Sequence, residues 1–276
     1  MLDALAIDPQ PSARNIAALP AEEVKEECAS RAQLYRLLGG VFAEEPSAAF
    51  LAALRAPESM QTLHEAGLEF NADFTQPGSV ALAEILSREY TAMFVASGGF
   101  PPVESVRLTG RYYQQPNFEV KQAYRQAGFE VRANRFRVFE DQLGVELMFV
   151  AELLDRSVAA LERGDMDAYR KLDRDIKRFW ALHLGRWVRG YARLVRRATE
   201  HSFYREMAKL LALFAEDEIA RMRLRVEDID QAREVVPKSE VQVLFNPDEP
   251  VCNACGEIEK ELGGDAREGW QPLKRA

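Results

Sequence analysis

The spacing of apolar residues restricts this chain more than any single motif does. Between Asp165 and Thr199, Leu172, Ile176, Phe179, His183, Trp187, Tyr191 and Leu194 recur at intervals of three and four, the period that gathers side chains on one helical face. The same spacing links Leu82, Ile85, Leu86, Tyr90, Met93 and Phe94, then Leu143, Leu147, Val150, Leu154, Val158 and Leu161, then Phe203, Met207, Leu210, Leu211 and Phe214. Strand-type alternation is essentially confined to Val241–Phe245, and no fixed repeat occurs. These patterns predict an all-α fold, a bundle of long helices with a broken middle.

In chain order, residues 1–21 read as a loose arm and a helical domain spans 22–220. A first helix runs from Glu22 to Ala43, with Glu22, Glu23, Glu26 and Glu27 at the positive end of its dipole and Pro46 beyond it. Ser47 caps a short helix through Arg55, and another follows Pro57. Asn71–Gly78 reads as loop, Ser79–Val95 as helix, the Pro101-Pro102 stretch 100–111 as non-helical, and Asn117–Gln126 as helix. An Arg-rich connector near 128–137 is a hinge between two halves. Long helices are then expected over Glu140–Arg163 and, after Gly164, Asp165–Thr199 and Ser202–Met222, with 235–276 an extended tail.

Composition serves mainly to exclude. The 276 residues are 47% apolar and 29% charged, within the range of folded globular chains. Forty-four acidic residues against 36 basic ones, a net charge of −8, disfavour a nucleic-acid binder and permit a cationic partner. No apolar run is long enough for a membrane span, and the N-terminus lacks the basic-then-apolar pattern of a secretory signal. Three scattered cysteines suit a reducing compartment, so a cytoplasmic location is expected.

No catalytic constellation emerges. A di-iron or di-manganese bundle needs Glu three residues before His, but Gln61, Trp180 and Ala198 precede His64, His183 and His201 at that distance. Cys252 and Cys255 have the spacing of half a zinc site or of a redox pair; the other metal candidates, Cys28 and the three histidines, are distant in sequence, and the pair reads as an inert tail motif. His183 reads as a core imidazole bonded to a backbone or carboxylate group. Arg186, Arg189, Arg193, Arg196 and Arg197 form a basic stripe, by default a solvated face, with Arg186, Arg189 and Arg193 the sharper candidates for an anion or cofactor site. Between Phe94 and Phe149, aromatic residues combine with Glu104, Ser105, Glu140, Asp141 and Glu146 beside Pro- and Gly-rich backbone, the ingredients of a site for a basic, apolar peptide.

Six segments in order, Tyr35-Arg36-Leu37-Leu38, Glu89-Tyr90-Thr91-Ala92-Met93-Phe94, Pro101-Pro102-Val103-Glu104-Ser105-Val106, Asp141 through Phe149, His183-Leu184-Gly185-Arg186-Trp187-Val188 and Phe203-Tyr204-Arg205, resemble the TorD/DmsD family and its NarJ-like relatives, chaperones that mature molybdenum redox enzymes. The resemblance covers about residues 28–220. It implies no catalysis, no permanent cofactor, transient contact with guanine nucleotide or molybdenum cofactor, and a monomer or domain-swapped dimer. Its implied partner is the catalytic subunit of a molybdenum oxidoreductase, bound at its twin-arginine signal or N-terminal region until the cofactor is inserted. The family's peptide-binding motifs map onto Tyr90, Phe94, Pro102, Glu104 and Ser105, and onto Asp141, Gln142 and Glu146, with Gln142 standing where the family has histidine. A metal-dependent helical enzyme and a non-catalytic helical subunit of a redox complex are the alternatives.

Overall fold

Helix α1 (Ala21–Ala43) turns Val24, Cys28, Ala32, Tyr35, Leu38, Val41 and Phe42 inward. This is a computed structural model, and it describes residues 21–95, 99–131 and 139–232. The chain divides into two units, Met1–Val235 and Val236–Ala276. The arm up to residue 20, the central part of the expected hinge, Val241–Phe245, Cys252, Cys255 and the rest of the tail lie outside the described residues.

Among those residues the architecture is all-α. Helices α2 (Ala48–Leu54), α3 (Pro57–Glu65), α4 (Ala72–Thr75) and α5 (Ser79–Tyr90) follow α1; then come α6 (Glu104–Thr109), α7 (Gln115–Gln126), α8 (Leu143–Glu162), α9 (Met166–Leu182), α10 (Val188–Ala198) and α11 (Ser202–Arg221). The sole strand-like feature described is an isolated antiparallel bridge between Val103 and Gln142. None of the described helices is long and apolar enough to cross a membrane.

The deepest packing is α1 against α8. A Cβ placed on Gly144 would sit 2.5 Å from the Ala43 Cβ and 2.7 Å from the Gly39 carbonyl oxygen, so the helices approach at a point where only glycine fits. Beside it, Arg31 reaches from α1 to α11 and donates to both oxygens of buried Glu218 at 2.8 and 2.7 Å. The Tyr35 hydroxyl donates to Glu218 at 2.5 Å and accepts from the Trp180 indole at 2.6 Å.

Local chemistry explains several boundaries. Ser47 accepts from Phe50 N to cap α2, Pro116 sits in the first turn of α7, and Asp165 caps α9 after Gly164 turns the chain at φ 68°. Four expectations are corrected. The loop 71–78 contains the single turn α4, fixed because Asp73 accepts from the backbone and hydroxyl of Ser202 while Phe74 stacks with Phe203 at 5.6 Å. The loop after Pro102 resumes helix as α6. The helix over Ser79–Val95 changes pitch at Thr91–Val95, a π-turn that buries both Met93 and Phe94; Ile85 stays outside. The single helix expected over Asp165–Thr199 breaks at His183 (φ −123°, ψ −95°), passes through a 3-10 turn at Leu184–Arg186 and restarts as α10. Gly185 permits this, since a Cβ there would lie 2.7 Å from the Trp180 carbonyl oxygen.

Candidate functional site

The sequence places its candidate residues on two segments 36 residues apart, and the fold zips these segments together. Glu104 N donates to the Asp141 carbonyl at 2.8 Å, and Leu143 N to the Pro102 carbonyl at 2.8 Å. The Asp141 carboxylate accepts from Ser105 N at 2.8 Å and from the Asn117 side-chain amide at 2.7 Å. It therefore secures the first turns of α6 and α7 at once. Asp141 does not cap its own helix: Gln142 does, accepting from Val145 N at 3.1 Å while its amide donates to the Phe42 carbonyl at 2.6 Å. Glu140, one residue earlier, bonds Lys121 at 2.5 Å.

Tyr90 and Phe94 belong to the same junction from the other side. The Tyr90 hydroxyl donates to the Ala43 carbonyl at 2.9 Å, and the Phe94 ring packs edge-on against Phe42, Tyr90 and Tyr204. Gln142 and Tyr90 thus both grip the C-terminal end of α1.

Every one of these candidates is interior: Tyr90, Phe94, Pro102, Glu104, Ser105, Asp141, Gln142 and Glu146 are all buried. Their carboxylates are therefore not open to solvent in this structure. Asp141 has both oxygens committed internally. Glu104 places Oε2 3.0 Å from His183 Nδ1, at the residue where α9 breaks, in agreement with His183 as a carboxylate-bonded core imidazole.

Behind this contact lies a buried polar cluster. Glu104 Oε1, both carboxyl oxygens of Glu146, Ser105 Oγ and Trp187 Nε1 are enclosed there without well-formed hydrogen bonds, and the Glu146 carboxyl faces both the Glu104 carboxyl and the Trp187 indole. Burial, then the charges of Glu104 and Asp141, hold the Glu146 carboxyl well above the ordinary carboxylate range. Burial raises Glu104 too, with His183 opposing. Enclosing Glu146 beside Glu104 and Asp141 therefore favours its protonated form.

The arginine stripe has an anion already, supplied by the chain itself. After α11 the segment 224–230 folds back along α10: Asp228 accepts from Gly190 N at 2.7 Å and lies 3.5 Å from Arg189 Nε and 3.8 Å from Arg193 Nη2. Arg189 also donates to the Val226 carbonyl at 2.8 Å. Asp230 receives a forked contact from Arg107, at 2.7 Å for its closest pair. Arg186 turns back to the Leu182 carbonyl at 3.4 Å, and Arg196 and Arg197 form a solvated face. Asn117, Arg107, Asp228 and Asp230 were not singled out in the sequence; partners 24 to 123 residues apart leave no local signal.

On the outer side of the junction, α7, α8 and α9 enclose a trough of about 880 Å³. Phe149, Leu153, Leu172 and Phe179 contribute apolar lining, and His183 forms part of its wall. Thus the imidazole that holds Glu104 borders a large concavity.

The pattern defining the nitrate reductase delta subunit family matches residues 56–193, half of the chain, from α3 through most of α10. The chain belongs to that family. A solved structure of a candidate redox enzyme maturation protein from Archaeoglobus fulgidus is similar at 19% identity, covering 67% of this chain and 93% of its own, with a TM-score of 0.42. No curated protein matches significantly.

Proposed function

We propose that this protein is a maturation chaperone for a molybdenum-dependent oxidoreductase, acting by binding and not by chemistry. Its client is the catalytic subunit, held at the twin-arginine signal or N-terminal region in the cytoplasm while the cofactor is inserted. The observation that carries the proposal is membership of the nitrate reductase delta subunit family over the segment that builds both the buried junction and the trough. Stoichiometric holding needs a concave, partly apolar surface on a stiff support, and the α6–α8 junction supplies the support.

In this proposal Tyr90, Phe94, Pro102, Glu104, Ser105, Asp141, Gln142 and Glu146 shape the binding wall from behind. They do not touch the peptide in the state described. Guanine nucleotide or molybdenum cofactor at Arg186, Arg189 and Arg193 would have to displace Asp228, so such contact is transient. The protein works as a monomer or a swapped dimer.

The test is a calorimetric titration of the full chain with a synthetic peptide copying the twin-arginine N-terminal region of a molybdenum oxidoreductase catalytic subunit from the same source. A parallel measurement reads the molybdenum content of that subunit made with and without the chaperone. Saturable one-to-one binding and a fall in molybdenum content are expected. Absence of both would overturn the proposal.

A further inference from the structure

The segment after α11 touches the structure on both sides of the Glu104–His183 contact. Helix α11 gives way at Arg223, which turns the chain at φ 54° while Leu224 N donates to the Ile219 carbonyl at 3.0 Å. Residues 224–228 then run without helix to a 3-10 turn at Ile229–Ala232. On one side, Asp230 receives the Arg107 guanidinium at 2.7 to 3.2 Å, three residues after Glu104 on α6. On the other, Val226 lies over Gly185, where a Cβ would come within 3.2 Å of its Cγ1, two residues after His183. Asp228 accepts from Gly190 N at 2.7 Å and from Asp230 N at 3.1 Å, and the Val226 carbonyl accepts from Arg189 at 2.8 Å. The segment therefore ties α6 to the break after α9 and to α10, the places that bring Glu104 and His183 together.

Its hold is mainly polar. The side chains of Asp228 and Asp230 are fully enclosed, whereas Arg223, Arg225, Glu227 and Ile229 are exposed and Leu224 and Val226 only half-buried. The charge contacts of Asp228 are loose: Arg189 Nε and Arg193 Nη2 stand 3.5 and 3.8 Å away, and neither buried nitrogen has a well-formed hydrogen bond. A segment held by two carboxylates and little apolar burial opens at a lower free energy than the helices it joins. It also lies beyond the family pattern, which ends at residue 193.

We propose that residues 224–230 are an autoinhibitory strap: Asp228 and Asp230 hold α6 to α10 and keep the Glu104 carboxylate closed to a guanidinium-bearing client segment until the strap lifts. Resting on the chaperone proposal, the strap supplies its regulation. When Asp230 leaves Arg107, α6 keeps its backbone bonds to Asp141 and loses its tie to α10. Glu104, whose Oε1 already lacks a well-formed hydrogen bond, then becomes reachable.

The experiment uses the full chain and a fluorescent synthetic peptide copying the twin-arginine N-terminal region of a molybdenum oxidoreductase catalytic subunit from the same source. A receptor that must open first binds with its affinity reduced by its open fraction, so the combined Asp228→Ala and Asp230→Ala variant should bind about tenfold tighter than wild type. Adding Glu104→Gln should remove that gain. Hydrogen exchange in the strap variant should accelerate across α6 and stay unchanged in α1 and α8. In wild type, saturating peptide should accelerate exchange at the amides of Gly190 and Asp230, which Asp228 covers; this measurement needs no variant to fold.

A strap variant that binds the peptide no better than wild type overturns the inference, because loss of a merely structural contact would have that result. A gain that survives Glu104→Gln overturns it too, as does exchange at Gly190 and Asp230 that stays slow in the wild-type complex. If wild type binds the peptide and the strap variant binds it equally, this inference fails and the chaperone proposal stands. If neither form binds it, the chaperone proposal fails; faster exchange across α6 in the strap variant then upholds the strap as a clamp, and unchanged exchange removes that as well.

Discussion

Replacing Asp141 with asparagine separates a carboxylate that greets a client from one that holds the fold. The two oxygens of Asp141 accept from Ser105 N and from the Asn117 amide at 2.8 and 2.7 Å with no exposure to solvent. Asparagine retains one acceptor, and the Asn117 amide can turn over to present its oxygen to the new amide, so both contacts can survive as neutral ones. What is lost is the charge assistance on two bonds, where a bond to a charged group contributes about 1.5–3 kcal/mol and a neutral one about 1. The expected destabilisation is about 2 kcal/mol. For a unit of this size that lowers the melting temperature by about 4–8 °C. Asp141→Ala strips both bonds and should cost about 4 kcal/mol. Thermal and urea unfolding at pH 7 read both variants. An asparagine variant that melts within a degree or two of wild type yet binds the client peptide poorly would refute this assignment, placing the carboxylate at the client and not inside the junction.

Glu146→Gln should raise stability increasingly with pH. The folded pKa of Glu146 is raised by burial and by neighbouring carboxyl groups, so near pH 4 both folded and unfolded states hold the proton and no penalty exists. As pH climbs above the unfolded value of about 4.3 the unfolded chain releases its proton first, and wild type loses stability that glutamine keeps; a urea-midpoint difference that is flat between pH 4.5 and 7.5 would contradict this. Gly144→Ala should cost about 1–3 kcal/mol by forcing α1 and α8 apart, a loss seen in the same unfolding curves, and an unchanged midpoint would refute the close approach. Arg31→Met removes the forked contact to the buried Glu218 carboxylate, leaving it the Tyr35 hydroxyl and the Arg221 guanidinium 3.6 Å away, and should cost about 3 kcal/mol. The double change with Glu218→Leu should recover most of that loss, and no recovery would argue against an uncompensated buried charge.

The sequence by itself determined the helices, because helical periodicity and capping are local: Ser47, Pro116 and Gly164 act within a turn of where they stand. It determined most of the inward face of each long helix, Ile85 excepted, and through six short segments it pointed to the family. It could not show that one continuous stripe from Leu172 to Leu194 would break at His183, where the side chain meets Glu104, 79 residues away. Nor could it show whether a carboxylate faces water. Glu104, Asp141 and Glu146 look like surface acids in a Pro-rich loop and a helix start; tertiary packing closes α6 and α8 over them and gives Asp141 its partners. Asp228 enters the arginine stripe for the same reason, because ion pairing depends on distance in space, and residues 38 apart in the chain become neighbours only once α10 and the segment after α11 have packed.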